Sequence, residues 1–583
     1  MAGFPELMSG LQTVLTFTNL TWLLVGVVVG LIVGIFPGLG PTAGIAILLP
    51  LTLGMDPTSA IIMLAAIYYG SMYGATVTAI MINTPGAAAV VASTFDGYPL
   101  AQQGRAGPAL VMQAVASFIG GTVGVILLTM LTPTFAQLAR SFGPAEFLLV
   151  VTMGLLTLVL LVGDNKLKGV ISALLGFAIA TVGVDLGTGA SRFTFGSPEL
   201  ISGVNFVPIA IGLFGLGEIF YVMYTGVHRK GYKVVADVPG VPSSGKADDG
   251  ASGDAEATDD PRAEGVTTAV KPKTAFWPSR DEWSESKYTF GSSSVLGFVL
   301  GVIPGAGATV ASLVAYSFER SVSRVKARFG KGAMPGLVAP ETANNASSSG
   351  AMIPLLTLGL PGSASTAVLL GAFILWGLRP GPLLMVQESD FAWGLIASMY
   401  LGNMMLVVLC ILAIPVFVSI LKVPYRILLP GIAVLCAVGA YSVNASQVEL
   451  WLALVFGVVG FFMKIHGYSP AALVVALVLA PLAEDSLRQT LVISRGDFMW
   501  ILERPIARWL LILLVVIVLI KPATRMLGLA FGTGKRASSA TGGSVLDKVS
   551  ADGDAPGVVE PRGNGDGGDD EPGAGSGDPG SDR

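Results

Sequence analysis

The sequence predicts an all-α polytopic membrane protein with two inverted-topology repeats, re-entrant or broken helical hairpins and roughly 12 membrane segments. Of its 583 residues, 52% are hydrophobic and only 12% are charged, whereas soluble domains contain about 25% charged residues. Apolar segments follow one another along most of the chain. The motif Gly-x-x-Pro-Gly-x-Gly also occurs twice, once in each half and each time inside an apolar run.

The two motifs begin at Gly34 and Gly301, and glycines at four-residue spacing precede each of them. Proline removes a backbone donor and glycine weakens a helix, so each motif predicts a helix break. Within a membrane, broken backbone is tolerated only where protein buries it or where it lines a wet cavity. Interruptions at matching places in two halves therefore indicate a transporter's binding site.

An internal repeat is also indicated by three landmarks with slowly growing offsets, as a duplication with small insertions would leave. The offsets are 301 − 34 = 267, 361 − 85 = 276 and 424 − 144 = 280. The matched pairs are Gly34 with Gly301, Pro85 with Pro361, and Pro144 with Pro424.

Lysine and arginine counts in short loops predict orientation. The loop after the second hairpin carries five basic residues between Arg320 and Lys331 and is predicted to be cytoplasmic. The equivalent loop, residues 53–57, has none and is predicted to be periplasmic. Equivalent loops on opposite sides indicate an inverted repeat. The same rule places Lys464, the central linker and the C-terminal tail in the cytoplasm.

Composition sets the predicted boundaries, because two stretches rich in Gly, Pro, Ser and Asp lack apolar periodicity and are typical of disorder. The net charge of −4 belongs mostly to these stretches. The predicted parts are an N-terminal segment (1–19), membrane repeat 1 (20–226), a polar, largely disordered cytoplasmic linker (227–290), membrane repeat 2 (291–500), a final membrane helix with its flank (501–534) and a disordered acidic, Gly-rich tail (535–583).

The sequence gives little support for an enzyme, a metalloprotein or a nucleic-acid-binding protein. The chain has no His-Glu-x-x-His, no phosphate-binding loop and no plausible Ser/His pair, so we expect no enzyme and no cofactor beyond a coupling ion. Cys410 and Cys436 lie in apolar runs and are predicted to be buried hydrophobes, with no transition metal. The absence of a basic stripe with interleaved aromatics argues against nucleic acid.

Polar residues gather near the breaks, and two interpretations compete for them. They could let helices approach and hydrogen-bond, or their oxygens could bind Na⁺ while helix N-termini offer amides to a carboxylate. We favour the second for the breaks together with Asn344 and Asn345. The predicted substrate-binding residues are Pro37, Gly38, Gly40, Asn83, Pro85, Gly86, Pro304, Gly305, Gly307, Asn344, Asn345, Ser348, Pro361, Gly362 and Ser363. The predicted coupling-ion residues, for Na⁺ or H⁺, are Asn83, Thr84, Glu341, Asn345 and Thr357.

Two acidic residues are harder to place from the sequence. Glu341 follows the basic loop, so it could be a solvated or salt-bridged carboxylate at the cytoplasmic boundary, or it could take part in coupling. Asp96 precedes Gly97 after the first break, and Asp-Gly most simply makes a turn.

At these residues the chain resembles the large membrane subunit of the bacterial tripartite tricarboxylate transporters. The resemblance covers residues 20–500, and several multi-residue blocks in order carry it. The blocks are Gly34-Ile-Phe-Pro-Gly-Leu-Gly-Pro-Thr-Ala-Gly44, Tyr69-Gly-Ser-Met-Tyr-Gly74, Asn83-Thr-Pro-Gly86, Asp96-Gly-Tyr-Pro-Leu-Ala101, Pro304-Gly-Ala-Gly307, Pro340-Glu-Thr-Ala-Asn-Asn345 and Pro354-Leu-Leu-Thr-Leu-Gly-Leu-Pro-Gly-Ser363.

The resemblance implies a secondary transporter of the bacterial inner membrane that takes up carboxylates such as citrate, driven by a cation gradient. It also implies two partners, a small membrane subunit and a periplasmic solute-binding protein. We expect both hairpins and both Pro-Gly breaks to meet near the bilayer midplane around one carboxylate and its cation. A non-transporting membrane scaffold remains the alternative, and the sequence leaves open which carboxylate and which cation are bound.

Overall fold

The computed structural model describes residues 4–36, 38–161, 165–185, 187–226, 276–378, 380–381, 384–414 and 425–516. Pro37, Pro424, most of the predicted linker and the predicted tail lie outside these ranges. Contacts divide the chain into Met1–Leu514 and Val515–Arg583, and only Val515 and Val516 of the second unit are described. The elements discussed below belong to the first unit.

Helices dominate the described residues, and the one sheet among them is a short antiparallel hairpin of β1 (Gly183–Val184) and β2 (Ser191–Arg192). The first half contains α1 (Phe4–Val14), α2 (Phe17–Ile35), α3 (Gly40–Leu48), α4 (Pro57–Ile82), α5 (Val91–Gln102), α6 (Ala106–Arg140), α7 (Pro144–Leu161), α8 (Lys166–Ala180), α9 (Phe206–Ala210) and α10 (Gly217–Gly226). The second half contains α11 (Arg280–Val302), α12 (Gly307–Val322), α13 (Met334–Gly350), α14 (Met352–Leu358), α15 (Ala364–Leu375), α16 (Leu384–Gln387), α17 (Ser389–Leu412), α18 (Tyr425–Asn444), α19 (Gln447–Ile465), α20 (Pro470–Ile493) and α21 (Trp500–Glu503).

The predicted fold class is confirmed. Seven described helices are long and apolar enough to cross a membrane, and five shorter apolar helices accompany them. The long ones are Phe17–Ile35, Pro57–Ile82, Ala106–Arg140, Phe206–Thr225, Ser389–Leu412, Gln447–Ile465 and Pro470–Ile493. The shorter ones are Gly40–Thr52, Pro144–Thr157, Ala364–Leu375, Leu429–Asn444 and Pro505–Val516.

Both Gly-x-x-Pro-Gly-x-Gly motifs interrupt a helix and reverse the chain. In the first, α2 ends at Ile35 and α3 folds back along it, so that Gly44 packs against Val33. Gly38 and Gly40 make this reversal at φ values of +93° and +60°, a backbone region that favours glycine over other residues. We call α2 and α3 hairpin 1.

The second motif repeats this conformation. Gly305 and Gly307 have φ values of +84° and +61°. Leu296 of α11 packs against a buried cluster that contains Ala315 of α12 and Ala339 and Ala343 of α13, and α11 and α12 are themselves in contact. We call α11 and α12 hairpin 2, and the predicted hairpins are thus present at both motifs.

Each hairpin packs on a buried central helix through backbone contact. A Cβ atom on Gly34 of α2 would overlap the carbonyl oxygen of Ser71 in α4. In the same way, a Cβ atom on Gly301 of α11 would overlap the carbonyl oxygen of Ser347 in α13. The glycines therefore allow the close helix approach that membrane interfaces favour.

The directions of the central helices follow from their contacts. Helices α4 and α17 are parallel, α17 and α6 are antiparallel, and α6 and α13 are parallel, so α4 and α13 run in opposite directions. Because α2 is parallel to α4 and α11 is parallel to α13, the two hairpins also have opposite polarity. The contact pairs are Thr58–Gly394 and Tyr73–Asn403, Thr129–Tyr400 and Gln113–Cys410, Gly120–Thr342 and Gly124–Ser349, Gly26–Met63 and Gly34–Ser71, and Gly297–Ala343 and Gly301–Ser347.

The Pro-Gly breaks that follow the two central helices return the chain toward the hairpin tips. After α4, the amide of Gly86 donates to the carbonyl of Ala75 at 3.2 Å. After α14, the carbonyl of Gly362 accepts from the amide of Gly305 in hairpin 2, at 3.1 Å. All four interruptions therefore lie close to the hairpin tips.

Helix α11 begins inside the range predicted to be linker. Ser279 and Glu282 form a capping box at its start, Glu282 pairs with Arg105, and Glu285 lies 2.9 Å from Arg328. These first turns are charged, so composition alone assigns them to the linker. Their charges instead pair with basic residues of neighbouring loops, and the helix extends to Arg280.

Candidate functional site

A cavity of about 580 Å³ lies between the two hairpins, within the range of about 300–1,000 Å³ that is usual for small-molecule sites. All four helix interruptions contribute to its wall. The predicted site residues that line it are Gly38, Gly40, Pro85, Gly86, Gly305, Gly307 and Ser363.

The N-termini of α3 and α12 both open on this cavity. Gly40 and Gly307, their first residues, line it, and neither helix has a side-chain cap. An uncapped helix N-terminus carries partial positive charge and free amides, which favour an anion. Hairpin 1 also reaches the other repeat, because the hydroxyls of Thr42 and Ser365 lie 2.8 Å apart.

One aromatic side chain connects the cavity with a central helix. Tyr68 of α4 is 1% exposed and lines the cavity. Its hydroxyl faces the side chains of Ser348 and Ser363. The predicted residue Ser348 therefore lies behind the wall of the cavity, although it does not line it.

Two charged residues that the sequence analysis did not select also line the cavity. They are Glu218 of α10 and Lys464 of α19, and they form an ion pair. A signal for Glu218 was available, because an ionisable residue inside an apolar segment is a functional hypothesis by default.

Glu341 lies in the protein interior, and the interpretation of it as a solvated or salt-bridged carboxylate is wrong. Its side chain is fully buried in α13 and accepts hydrogen bonds from Thr76 (2.8 Å), Ser93 (2.5 Å) and Ser117 (3.2 Å). These hydroxyls come from α4, α5 and α6 of the first repeat. The group joins the two repeats, but it does not line the cavity.

Asp96 is likewise fully buried, and the interpretation of Asp96-Gly97 as a turn is wrong. It lies inside α5 and accepts the amides of Gly330, Gly332 and Ala333 at 2.9, 2.9 and 2.8 Å, together with the hydroxyl of Tyr316 at 3.0 Å. We call this arrangement the Asp96 clamp. It ties α5 of the first repeat to the loop before α13, and a local pattern could not show partners so distant in sequence.

The other predicted residues lie away from the cavity wall. Pro304, Pro361 and Gly362 belong to the breaks but do not line the cavity, and Asn83 is an exposed residue at φ +52° that ends α4. Both amide atoms of Asn344 are buried without a hydrogen-bond partner. The polar groups of Thr84, Asn345 and Thr357 donate to the carbonyls of Ile82, Glu341 and Ile353.

A second cavity, of about 710 Å³, contains a charged cluster apart from the hairpins. Arg488 lies 2.5 Å from Asp185 and 2.7 Å from Glu484, and Arg192 lies 2.8 Å from Glu484. Hydrogen bonds from Arg488 and from the amides of Gly187 and Thr188 lower the pKa of Asp185 below its usual value, outweighing its desolvation. Among the described residues, no three His, Cys, Asp or Glu side chains form a group that could hold a metal ion.

Comparison with known sequences agrees with this architecture. The tripartite tricarboxylate transporter TctA family matches residues 20–475, a range that contains both helix-breaking motifs and the whole cavity wall. The chain belongs to this family. A TctA family member is thus the large membrane subunit of a tripartite transporter.

Two relatives from Agrobacterium vitis extend the comparison. An uncharacterized 52.8 kDa protein of the TAR-I ttuC' 3' region is 39% identical over 88% of this chain and 96% of its own length. An uncharacterized protein of the TAR-II ttuC' 3' region is 42% identical over 38% of this chain and 93% of its own length. No solved structure matches the chain.

Proposed function

We propose that this TctA family chain is the permease subunit that imports carboxylates of the tricarboxylate or dicarboxylate type, driven by a cation gradient. A periplasmic binding protein delivers the solute, and a small membrane subunit completes the complex in the bacterial inner membrane. The linker and the tail lie in the cytoplasm. The observation that carries this proposal is the convergence of two uncapped helix N-termini on one cavity.

The chemistry of the cavity favours an anion with separated charges. The first turns of α3 and α12 approach the cavity from different repeats, so two carboxylates of one solute can each face a positive helix end. Ser365 and Thr42 add hydroxyls that can donate to the same oxygens. Backbone amides recognise a ligand by its charge and its hydrogen-bond acceptors rather than by its size. Such a site suits several related carboxylates.

The hairpins also supply a means of alternating access. Because the hairpins have opposite polarity, a movement of hairpin 1 opens the cavity to one side of the membrane. The equivalent movement of hairpin 2 opens it to the other side. The coupling cation is Na⁺ or H⁺. Glu341, with the hydroxyls of Thr76, Ser93 and Ser117, is the candidate site for it, because either cation would replace hydroxyl donors at a buried carboxylate.

Uptake by the complete complex tests the proposal. The chain, its small membrane subunit and its binding protein are reconstituted in proteoliposomes, and uptake of [¹⁴C]citrate and [¹⁴C]succinate is followed under an imposed Na⁺ or proton gradient. We expect uptake that needs the binding protein and one of the gradients. If neither solute accumulates under either gradient while the complex is intact, the permease function is wrong and a scaffold function takes its place.

A further inference from the structure

Glu218 and Lys464 are the charged side chains among the residues that line the cavity. They come from α10 and α19, which belong to neither hairpin. The cavity therefore has a neutral wall of hairpin tips and Pro-Gly breaks, and a charged wall formed by these two helices.

The carboxylate of the ion pair is buried, and the lysine is partly buried. Glu218 is 6% exposed, and the Lys464 side chain is 33% exposed. The Lys464 ammonium lies over the ring of Tyr221, 4.9 Å from its centre, where the aromatic face attracts a cation. Burying an ion pair adds little stability compared with apolar residues of the same shape, so stability is a poor explanation for a pair in this position.

The Glu218 carboxylate lies against the tip of hairpin 1. One oxygen pairs with Lys464, and the other is so close to Gly38 that a Cβ atom there would overlap it. Gly38 lies two residues before Gly40, the first residue of α3. Glu218 thus lies between an ammonium group and a positive helix end, which are the surroundings that a substrate carboxylate needs.

The helices that carry the pair are held in a fixed register. A Cβ atom on Gly460 would lie 2.8 Å from the carbonyl oxygen of Leu213, so α19 touches the backbone of the segment before α10. This segment, Ile211–Leu216, is a π-helix. Such segments are rare and occur frequently at functional sites, and this one ends directly before the turn that presents Glu218 to the cavity.

We propose that Lys464 is a substrate-binding residue of this cavity, and that Glu218 is an internal anion that occupies Lys464 until a substrate carboxylate displaces it. The inference rests on the proposed carboxylate uptake and deepens it. The substrate needs at least two ionised carboxylates, because one replaces Glu218 at Lys464 while another faces the N-terminus of α12. Monocarboxylates therefore bind weakly.

The test measures KM and kcat for [¹⁴C]citrate in proteoliposomes that contain the complete complex. Lys464→Met removes a charge-assisted contact, and we expect KM to rise roughly 10- to 100-fold, with a smaller rise for Lys464→Arg. Glu218→Gln removes the competing anion, and we expect KM to fall by severalfold. Unlabelled succinate competes with citrate in the wild type, whereas acetate does not.

A structural role for the pair predicts other results. If the pair only held α10 against α19, Glu218→Gln and Lys464→Met would impair uptake in the same direction. The exchange Glu218→Lys with Lys464→Glu would then restore it. We expect the exchange to restore the melting temperature of the purified protein but not uptake, because it turns Lys464 into an anion.

Each outcome decides between the two proposals. A wild type that accumulates citrate, with an unchanged KM in Lys464→Met, overturns this inference and leaves the carboxylate permease standing. Rescue of uptake by the exchange variant overturns it as well. A wild type that accumulates neither citrate nor succinate overturns both.

Discussion

Asp96 shows how one buried carboxylate can organise a distant element. Its oxygen receives the amides of Gly332 and Ala333 directly before α13 begins, so a carboxylate of the first repeat fixes the chain at the start of this helix. A negative charge at this position also matches the positive end of the helix. The cost of burying the carboxylate is offset by its four hydrogen bonds.

We therefore expect Asp96→Ala to destabilise the protein, because three backbone amides and Tyr316 lose their acceptor at a cost of about 1–3 kcal/mol for each group left unpaired. Asp96→Asn keeps one acceptor oxygen and should lose less. Thermal unfolding of the purified protein in detergent measures both. Asp56→Ala is the matched control, since Asp56 caps α4 at an exposed position and its loss should cost about 1 kcal/mol. Equal melting temperatures for Asp96→Ala and Asp56→Ala would contradict the clamp.

The Asp185 cluster predicts how stability depends on pH. The pKa of Asp185 is lower in the folded protein, chiefly because Arg488 hydrogen-bonds to it, and its unfolded value is about 3.9. A carboxyl group whose pKa is lower in the folded protein stabilises the fold at pH values above its unfolded-state pKa. This stabilisation is lost as the pH falls through the folded-state pKa. Wild type should thus exceed Asp185→Asn in melting temperature by a constant margin from pH 7 to pH 5, and the margin should shrink below about pH 3.9. A margin that does not change with pH would contradict this assignment.

At the scale of elements, glycine decides how the hairpins pack. The helix breaks could be predicted from the sequence because proline and glycine act on the local backbone. Gly38 and Gly305, which both have positive φ values, are examples. The helix on which each hairpin packs could not be predicted from the sequence. The contact between Gly301 and Ser347, for example, joins residues that no local sequence pattern relates. The hydroxyls of Thr84 and Thr357 were predicted to bind the coupling ion. Only the fold shows that they donate to nearby carbonyls, Thr84 to the last carbonyl of α4 and Thr357 to a carbonyl one turn earlier in the chain.

Two glycines of α11 allow a direct comparison. Gly301→Val should force α11 away from α13, because its Cβ would overlap backbone, and overpacking of this kind costs about 1–3 kcal/mol. Gly291→Val lies on the same helix with open space around it and should leave stability unchanged. Thermal unfolding and citrate uptake measure the two variants side by side. Equal loss in both would mean that helix propensity, and not contact with α13, governs this helix.

At the scale of the whole molecule, the opposite polarity of the hairpins was predicted from loop charges and agrees with the contacts. Arg105 and Arg328 pair with acidic residues at the start of α11, so the two loops that carry them lie at the same end. Neutral or acidic loops, including the one with Asp56, lie where α2 and α4 begin. Charge counts suffice for hairpin polarity because the membrane has only two sides. They do not suffice for Lys464, which they assigned to a cytoplasmic loop and which lines the cavity. The cavity residues at the helix breaks could be predicted because glycine and proline mark those breaks locally. Glu218 and Lys464 were missed because only the fold brings α10 and α19 to the same cavity.

Cysteine labelling tests this arrangement. Leu15→Cys, directly before α2, should react with a membrane-impermeant maleimide in intact spheroplasts. Ala327→Cys, in the basic loop after α12, should react only after lysis. The native Cys410 and Cys436 are 1% and 0% exposed, so the unaltered chain should remain unlabelled. Labelling of both variants in intact spheroplasts would contradict the inverted arrangement.

The Asp96 clamp has a further consequence, because it breaks the equivalence of the two repeats. An ideal inverted repeat gives its outward and inward states equal free energy, since each state exchanges the conformations of the halves. At the offset of the Pro-Gly breaks, 96 + 276 = 372, the second repeat has Ala372, which cannot accept the same amides. One orientation of the empty protein is therefore favoured at rest, and the solute and the cation must together supply the difference when the loaded protein changes sides.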